Sequence, residues 1–251
     1  MIFTATAVGF SAVFLATTAG AALVFFAFIG ASEKRYAAFS GFAAGIMAAA
    51  SVFSLLLPAI DGFLYYGSLK FLPATLSFLL GGAFFAVTDG IVKRLTTSRL
   101  QDGYVKPLRT FTAMTVHNVP EGLAVGVAFG CAAQGESAVY AALALSIGIA
   151  IQNFPEGAAV SIPLKSAGIR PLNAFLLGSA SGAVEPIAAI VGFLFSTGTS
   201  RLLPYVMAFA AGTMIFVVVE DRSYPEEDAS VYSRTFMAGF ALMMALDVAL
   251  G

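Results

Sequence analysis

Charge is what this chain lacks most. Of its 251 residues, 11% are Asp, Glu, Lys or Arg, against about a quarter in an ordinary soluble domain. With 59% of residues apolar, water cannot be the solvent for most of its surface, and lipid takes that place. The net charge is −1, which excludes nucleic acid as a natural partner. The one cysteine, Cys131, excludes an internal disulfide and any CxxC metal or redox site. With no activating neighbour it reads as a small packing residue. The one histidine, His117, leaves no HExxH pair, so a catalytic zinc with several imidazole ligands cannot be built.

What is present is a series of long apolar runs. A spanning helix needs about 20 mostly apolar residues, and such runs cover approximately 2–30, 36–60, 70–92, 109–131, 137–164, 171–197, 202–221 and 232–250. The expectation is an all-α membrane protein of eight transmembrane helices forming a single transmembrane domain, 1–251. The first run lacks a basic leader and is read as a retained span rather than a signal peptide. The last is the least clear, because Asp247 lies in it. Alternate loops hold eleven of the thirteen basic residues and the opposite set holds only Lys70 and Arg201. Since Lys and Arg mark the cytoplasmic side, both termini are expected outside. Tyrosines near the run ends, among them Tyr65, Tyr66 and Tyr205, suit the headgroup layer. The acidic PEED at 225–228 reads as a solvated loop first and as a weak cation-collecting patch second.

Two stretches break the apolar rule in the same way. HNVPEG at 117–122 returns 35 residues later as QNFPEG at 152–157. Charges near the bilayer centre cost at least a few kcal/mol each, yet Glu121, Glu156 and Glu185 all fall deep in runs, as does His117. Each motif lies about seven residues from the inner end of its run, or roughly 10 Å at 1.5 Å per residue, and Glu185 lies midway along the sixth. His117 and Glu121 are i and i+4, on one helix face, and Gln152 and Glu156 repeat that spacing; Asn118 and Asn153 occupy an adjacent stripe. Consecutive spans run oppositely, so the two copies meet about a pseudo-two-fold axis in the membrane plane, a transporter trait. Pro120, Pro155 and Pro186 are expected to free the carbonyls of Val116, Ile151 and Gly182 as further acceptors. Imidazole, carboxylate and amide donors converging at one depth suit a divalent cation.

These residues resemble the ZIP (Zrt/Irt-like protein) family of metal transporters, in its prokaryotic GufA-like branch. The resemblance covers essentially the whole chain. It implies an inverted-repeat 3+2+3 bundle, spans one to three matching six to eight around an enclosed four and five. It also implies import of Zn²⁺, with Fe²⁺, Mn²⁺, Cd²⁺ or Co²⁺ as related substrates, across a prokaryotic plasma (inner) membrane. Metal is then bound substrate and no cofactor is expected. One site would use His117, Glu121, Gln152 and Glu156. A second, adjacent ion would use Asn118, Asn153 and Glu185, with Glu121 and Glu156 bridging. Gln152 stands where many members have His, which weakens strict zinc selectivity. Glu220 and Asp221 are candidate exit ligands, and Asp61 a candidate attractor at the outer mouth. The partners are divalent metal ions and the lipid bilayer, and a homodimer stays open. The family also suggests that spans one, four, five and six move against two, three, seven and eight.

Three carboxylates cannot all stay ionised together in an empty site, so metal is expected to displace protons and uptake to depend on pH. A Mg²⁺- or Mn²⁺-preferring carrier and a passive cation channel rank next. An intramembrane metallohydrolase ranks last, for want of ligands and a base.

Overall fold

The computed structural model describes residues 2–26, 33–97, 102–132, 135–196, 200–220 and 226–250. They are almost wholly helical. In chain order the helices are α1 (Ile2–Ala21), α2 (Glu33–Ala50), α3 (Leu57–Gly62), α4 (Phe71–Thr97), α5 (Asp102–Cys131), α6 (Glu136–Ser166), α7 (Pro171–Gly182), α8 (Val184–Ser196), α9 (Leu203–Glu220) and α10 (Ala229–Leu250). A π-helical turn, Ser51–Leu56, joins α2 to α3, and α7 and α8 are two parts of one run broken at Ala183. Among the described residues these make eight helical segments, and the protein is an all-α integral membrane protein.

Among the described residues, seven segments are long and apolar enough to cross a bilayer: Ile2–Phe25, Lys34–Gly62, Phe71–Ile91, Glu136–Ser166, Pro171–Ser196, Leu203–Glu220 and Glu226–Ala249. The expected fourth span, α5, is not among the seven. Its 30 residues are ample, but His117, Asn118, Pro120 and Glu121 lie in its middle and lower its mean hydropathy. Its burial explains how such a helix can persist among apolar neighbours: nearly every side chain from Pro120 to Ala132 is buried. α4, by contrast, turns Leu72, Leu76, Leu79, Leu80, Phe84, Val87 and Ile91 outward. A contiguous apolar face of that extent suits lipid rather than water.

Glycine decides which helices pair. A Cβ on Gly20 of α1 would strike the backbone of Phe154 in α6, and one on Gly157 of α6 would strike the backbone of Thr17 in α1. The same reciprocal notch joins α5 to α8 (Gly126 on Ala189, Gly192 on Leu123), α2 to α10 (Gly45 on Phe236, Gly239 on Phe42) and α4 to α9 (Gly81 on Phe209, Gly212 on Phe78). Without side chains at these crossings the backbones approach closely, the small-xxx-small mode of membrane helices. In terms of the eight segments, the pairs are one with five, four with six, two with eight and three with seven. Exchanging the first three segments with the last three, and four with five, turns each pair into another.

The pairs assemble into two groups. One contains α1, α5, α6, α7 and α8; the other contains α2, α3, α4, α9 and α10. The seam between them, where α5 meets α4 and α9 and α6 meets α2, is mainly apolar and includes Ala49, Ala50, Ala124, Ile149, Ala208, Ala211 and Met214. Gln152 Nε2 reaches Met214 Sδ across the seam at 3.9 Å; other named polar links stay inside a group. Lys165 Nζ donates to Val24 O at 2.7 Å, and Ser54 Oγ donates to Asp247 Oδ1, which accounts for an acidic residue in the last helix. Between the segment after α3 and α9, Tyr66 and Tyr205 share a 2.7 Å hydroxyl hydrogen bond, and the Phe63 ring packs edge-on against Tyr205. Cys131 is buried and in no disulfide.

The prolines behave unequally. α6 continues through Pro155 and Pro163, and α5 continues through Pro120, so the looser turns expected there do not become breaks. Pro186 does coincide with one: the chain interrupts at Ala183, whose N–H bonds to Ala180 O at 3.2 Å. The break puts Glu185 in the first turn of α8.

Candidate metal centre

α5 and α6 bring the two motifs face to face. His117, Asn118, Glu121, Gln152, Asn153, Glu156 and Glu185 are each at most 1% exposed. Ionisable groups reach such burial only when something compensates them. His117 Nε2 lies 3.1 Å from Glu121 Oε1 on the same helix and 3.7 Å from Glu156 Oε1 on the opposite one. One donor atom from each of these three residues can be chosen such that all lie within 4.8 Å of one another. A tetrahedral ion with ligands near 2.1 Å holds its donors about 3.4 Å apart, so small side-chain rotations close the trio around a cation. Gln152 joins through its amide, donating from Nε2 to Glu121 Oε1 at 2.5 Å.

The inventory of unpaired atoms points the same way. Both nitrogens of His117, both oxygens of Glu156, Glu121 Oε2 and Gln152 Oε1 are buried without a hydrogen bond; the short His117–Glu121 approach is an ion-pair distance without hydrogen-bond alignment. A buried polar atom left unsatisfied costs about 1–3 kcal/mol. Here the unsatisfied atoms belong to residues of one cluster, and their nitrogen and oxygen lone pairs are the donor set a divalent cation takes.

Glu185 is held differently. Its Oε2 accepts from Asn153 Nδ2 at 2.5 Å and its Oε1 from Thr17 Oγ1 at 3.3 Å. Asn153 Nδ2 also reaches Val13 O at 3.2 Å. Asn118 Nδ2 donates to Ser181 O, at the break between α7 and α8, at 3.0 Å. The amide oxygens of Asn118 and Asn153 remain unpaired. Two of the remaining sequence candidates lie elsewhere. Asp61 is exposed and 3.7 Å from Lys70. Glu220 is exposed at the end of α9. Asp221 lies outside the described residues.

Several neighbours of the cluster escaped sequence reasoning. Phe85 of α4 sets its ring edge-on to His117, with centroids 6.4 Å apart. Met214 of α9 places Sδ 3.9 Å from Gln152 Nε2. Thr17 reaches Glu185 from α1. A phenylalanine, a methionine and a threonine in apolar helices carry no signal of their own; only the fold puts them here. Candidate ligands therefore ride on α5, α6 and α8, in one group of helices, while Phe85 and Met214 wall the trio from the other.

A family model described as ZIP Zinc transporter matches residues 98–247. Zinc transporter ZIP11 of Xenopus tropicalis is 35% identical, with 84% of this chain and 87% of that protein covered. Zinc transporter GufA of Myxococcus xanthus is 34% identical, over 81% of this chain and 83% of that protein. Zinc transporter ZIPB of Bordetella bronchiseptica is 37% identical, over 84% and 70%.

Proposed function

The chain belongs to the ZIP zinc transporter family, and from that premise we propose that it carries divalent metal inward across a prokaryotic plasma membrane by alternating access. Zn²⁺ is the foremost substrate, with Fe²⁺, Mn²⁺, Cd²⁺ or Co²⁺ after it. One observation carries the reading. An imidazole and two carboxylates from oppositely directed helices lie within reach of one ion, buried, and both oxygens of Glu156, Glu121 Oε2 and both His117 nitrogens have no hydrogen-bond partner. ZIP proteins are transporters, so the metallohydrolase reading falls away.

His117, Glu121, Gln152 and Glu156 hold the metal. Gln152 ligates through Oε1 once its amide turns over. Glu185, Asn118 and Asn153 form the adjacent position, with Glu121 and Glu156 reaching both. The moving body is the group that carries the ligands, α1 with α5 to α8. Support comes from the glycine notches, which fasten helices within each group, and from the apolar seam between the groups. The excess of Lys and Arg in alternate loops puts both termini outside. Metal then arrives from the face bearing Tyr66 and Tyr205.

Uptake into proteoliposomes, run with a panel of divalent ions, tests this. A carrier saturates; a channel conducts without saturating, and that outcome would overturn alternating access. The same vesicles test the proton prediction. Carboxylate and imidazole must lose protons to ligate. Metal affinity is therefore expected to fall as pH is lowered. Metal binding should also acidify a weakly buffered solution of the purified protein. Uptake and binding indifferent to pH would remove His117, Glu121 and Glu156 as ligands.

A further inference from the structure

Away from the metal cluster, one corner of the bundle gathers aromatic rings and a cation at the membrane surface. The spans that end at Gly62 and begin at Phe71 leave residues 63–70 between them, and Arg201 closely precedes the span that begins at Leu203. Both connections therefore lie where the hydrocarbon ends. In the first, the 3₁₀ segment Leu64–Leu69 has no buried residue, and Leu64, Tyr65, Tyr66, Leu69 and Phe71 are all exposed. The rings are nonetheless held. Phe63 is fully buried and packs on Tyr205 with centroids 4.7 Å apart, and the Tyr65 ring lies 4.5 Å from that of Tyr66. The 2.7 Å bond between the Tyr66 and Tyr205 hydroxyls uses one of their two protons, so the other is left to donate outward. Arg201, one turn before Tyr205, is exposed, and no carboxylate among the described residues pairs with it. Lys70, by contrast, has Asp61 at 3.7 Å. The Tyr66 phenol is raised above its ordinary pKa, first by the bond to Tyr205, and Arg201 is among the groups that oppose the rise. The guanidinium is thus within electrostatic reach of the hydroxyl pair.

We propose that Arg201 and the Tyr66–Tyr205 hydroxyl pair bind the phosphate of a phospholipid, with an anionic headgroup preferred, while Leu64, Tyr65 and Leu69 cover the upper part of its acyl chains. A guanidinium presents several N–H donors in one plane, which matches the oxygens of a phosphate, and the free phenol proton adds another. Tyrosine suits this depth, with its apolar ring toward the chains and its hydroxyl toward the headgroups. Charge decides the class of lipid. Lys70 and Asp61 offset one another, whereas Arg201 is uncompensated, so the corner keeps one positive charge. A headgroup with its own ammonium is repelled there, and one without it is not. The residues of the site belong to the group of α2, α3, α4, α9 and α10, where α3 packs on α9. A lipid held there braces that corner without touching the metal cluster, and the inference stands apart from the metal reading.

The test is native mass spectrometry of the full-length protein in detergent, titrated with phosphatidylglycerol or with phosphatidylcholine of equal chain length. Wild type is expected to hold the first phosphatidylglycerol about fivefold more tightly than phosphatidylcholine, which is what one basic residue contributes near an anionic lipid surface. Arg201→Gln, a change at an exposed position, should bring that ratio to about one. Tyr66→Phe keeps the ring and removes the hydroxyl, and should weaken phosphatidylglycerol binding about twofold to tenfold. Arg234→Gln removes an exposed arginine near the start of α10, at the opposite end of the bundle, and should leave the ratio unchanged. Glycerol 3-phosphate, which offers the phosphate without acyl chains, should not be retained at the same concentrations. A ratio near one in wild type, a ratio unmoved by Arg201→Gln, or an equal loss in Arg234→Gln overturns the site. Glycerol 3-phosphate bound as tightly as the lipid would make this a site for free phosphate and overturn the lipid assignment.

Discussion

Glu121→Gln is expected to lower metal uptake by at least about a hundredfold, since losing even an outer partner of a metal ligand costs about 10- to 100-fold. Glu156→Gln should do the same, because Glu121 and Glu156 face one another across the α5–α6 contact with His117 between them. The substitution keeps shape and removes one negative charge. In the empty protein, Glu121 and Glu156 carry unpaired buried oxygens, so the change also removes an electrostatic burden. The expected pattern is therefore a split: transport gone, thermal stability of the metal-free protein equal to wild type or higher. A site maintained against stability behaves in this way. The measurement is a thermal melt in detergent with and without Zn²⁺. Wild type should gain about 2.7 kcal/mol at a hundredfold excess over Kd, and either variant should gain little. Wild-type uptake by both variants would sink the centre altogether.

The second large effect concerns the notches between helices. Gly126→Leu and Gly157→Leu are each expected to destabilise the protein by about 3 kcal/mol or more, the upper end of overpacking costs. The first methyl carbon in each case lands on backbone, of Ala189 and of Thr17, and backbone cannot rotate aside as a side-chain tip can. Two helices would have to separate along their length. Gly90→Ala is the contrast: nothing lies within 4 Å of the added carbon, so stability should hold or rise, up to about 1 kcal/mol from helix propensity alone. Thermal melts followed by size-exclusion chromatography separate the two outcomes. If Gly126→Leu melted with wild type, close helix contact would not be what holds α5 to α8.

Much of this was readable without coordinates. The helical class follows from charge scarcity and run length, because lipid offers the backbone no partners and helices satisfy it internally. The approach of His117, Glu121, Gln152 and Glu156 follows from two copies of one motif at equal depth in consecutive, oppositely directed runs. The break at Ala183 agrees with the warning from Pro186. Other features gave no notice. Pro120 and Pro155 carry the same chemistry as Pro186, yet α5 and α6 pass through them unbroken. The π-helical turn at Ser51–Leu56 has no mark in its residues. Gly41, Gly45, Gly122, Gly126, Gly130, Gly178 and Gly182 announce close packing by their spacing, but not their partners. Asp247, which made the last span doubtful, is accounted for by Ser54, 193 residues earlier.

The division follows from how each kind of information is encoded. Depth, helix face and donor chemistry are local properties, fixed by residue type and by 1.5 Å of rise per residue, and the chain determined them alone. Which helix meets which, and hence that Phe85, Met214 and Thr17 border the cluster, depends on backbones fitting into notches of other helices far along the chain. The same few atoms of glycine are a gap in one sequence context and a contact in another, and only the assembled bundle decides between them.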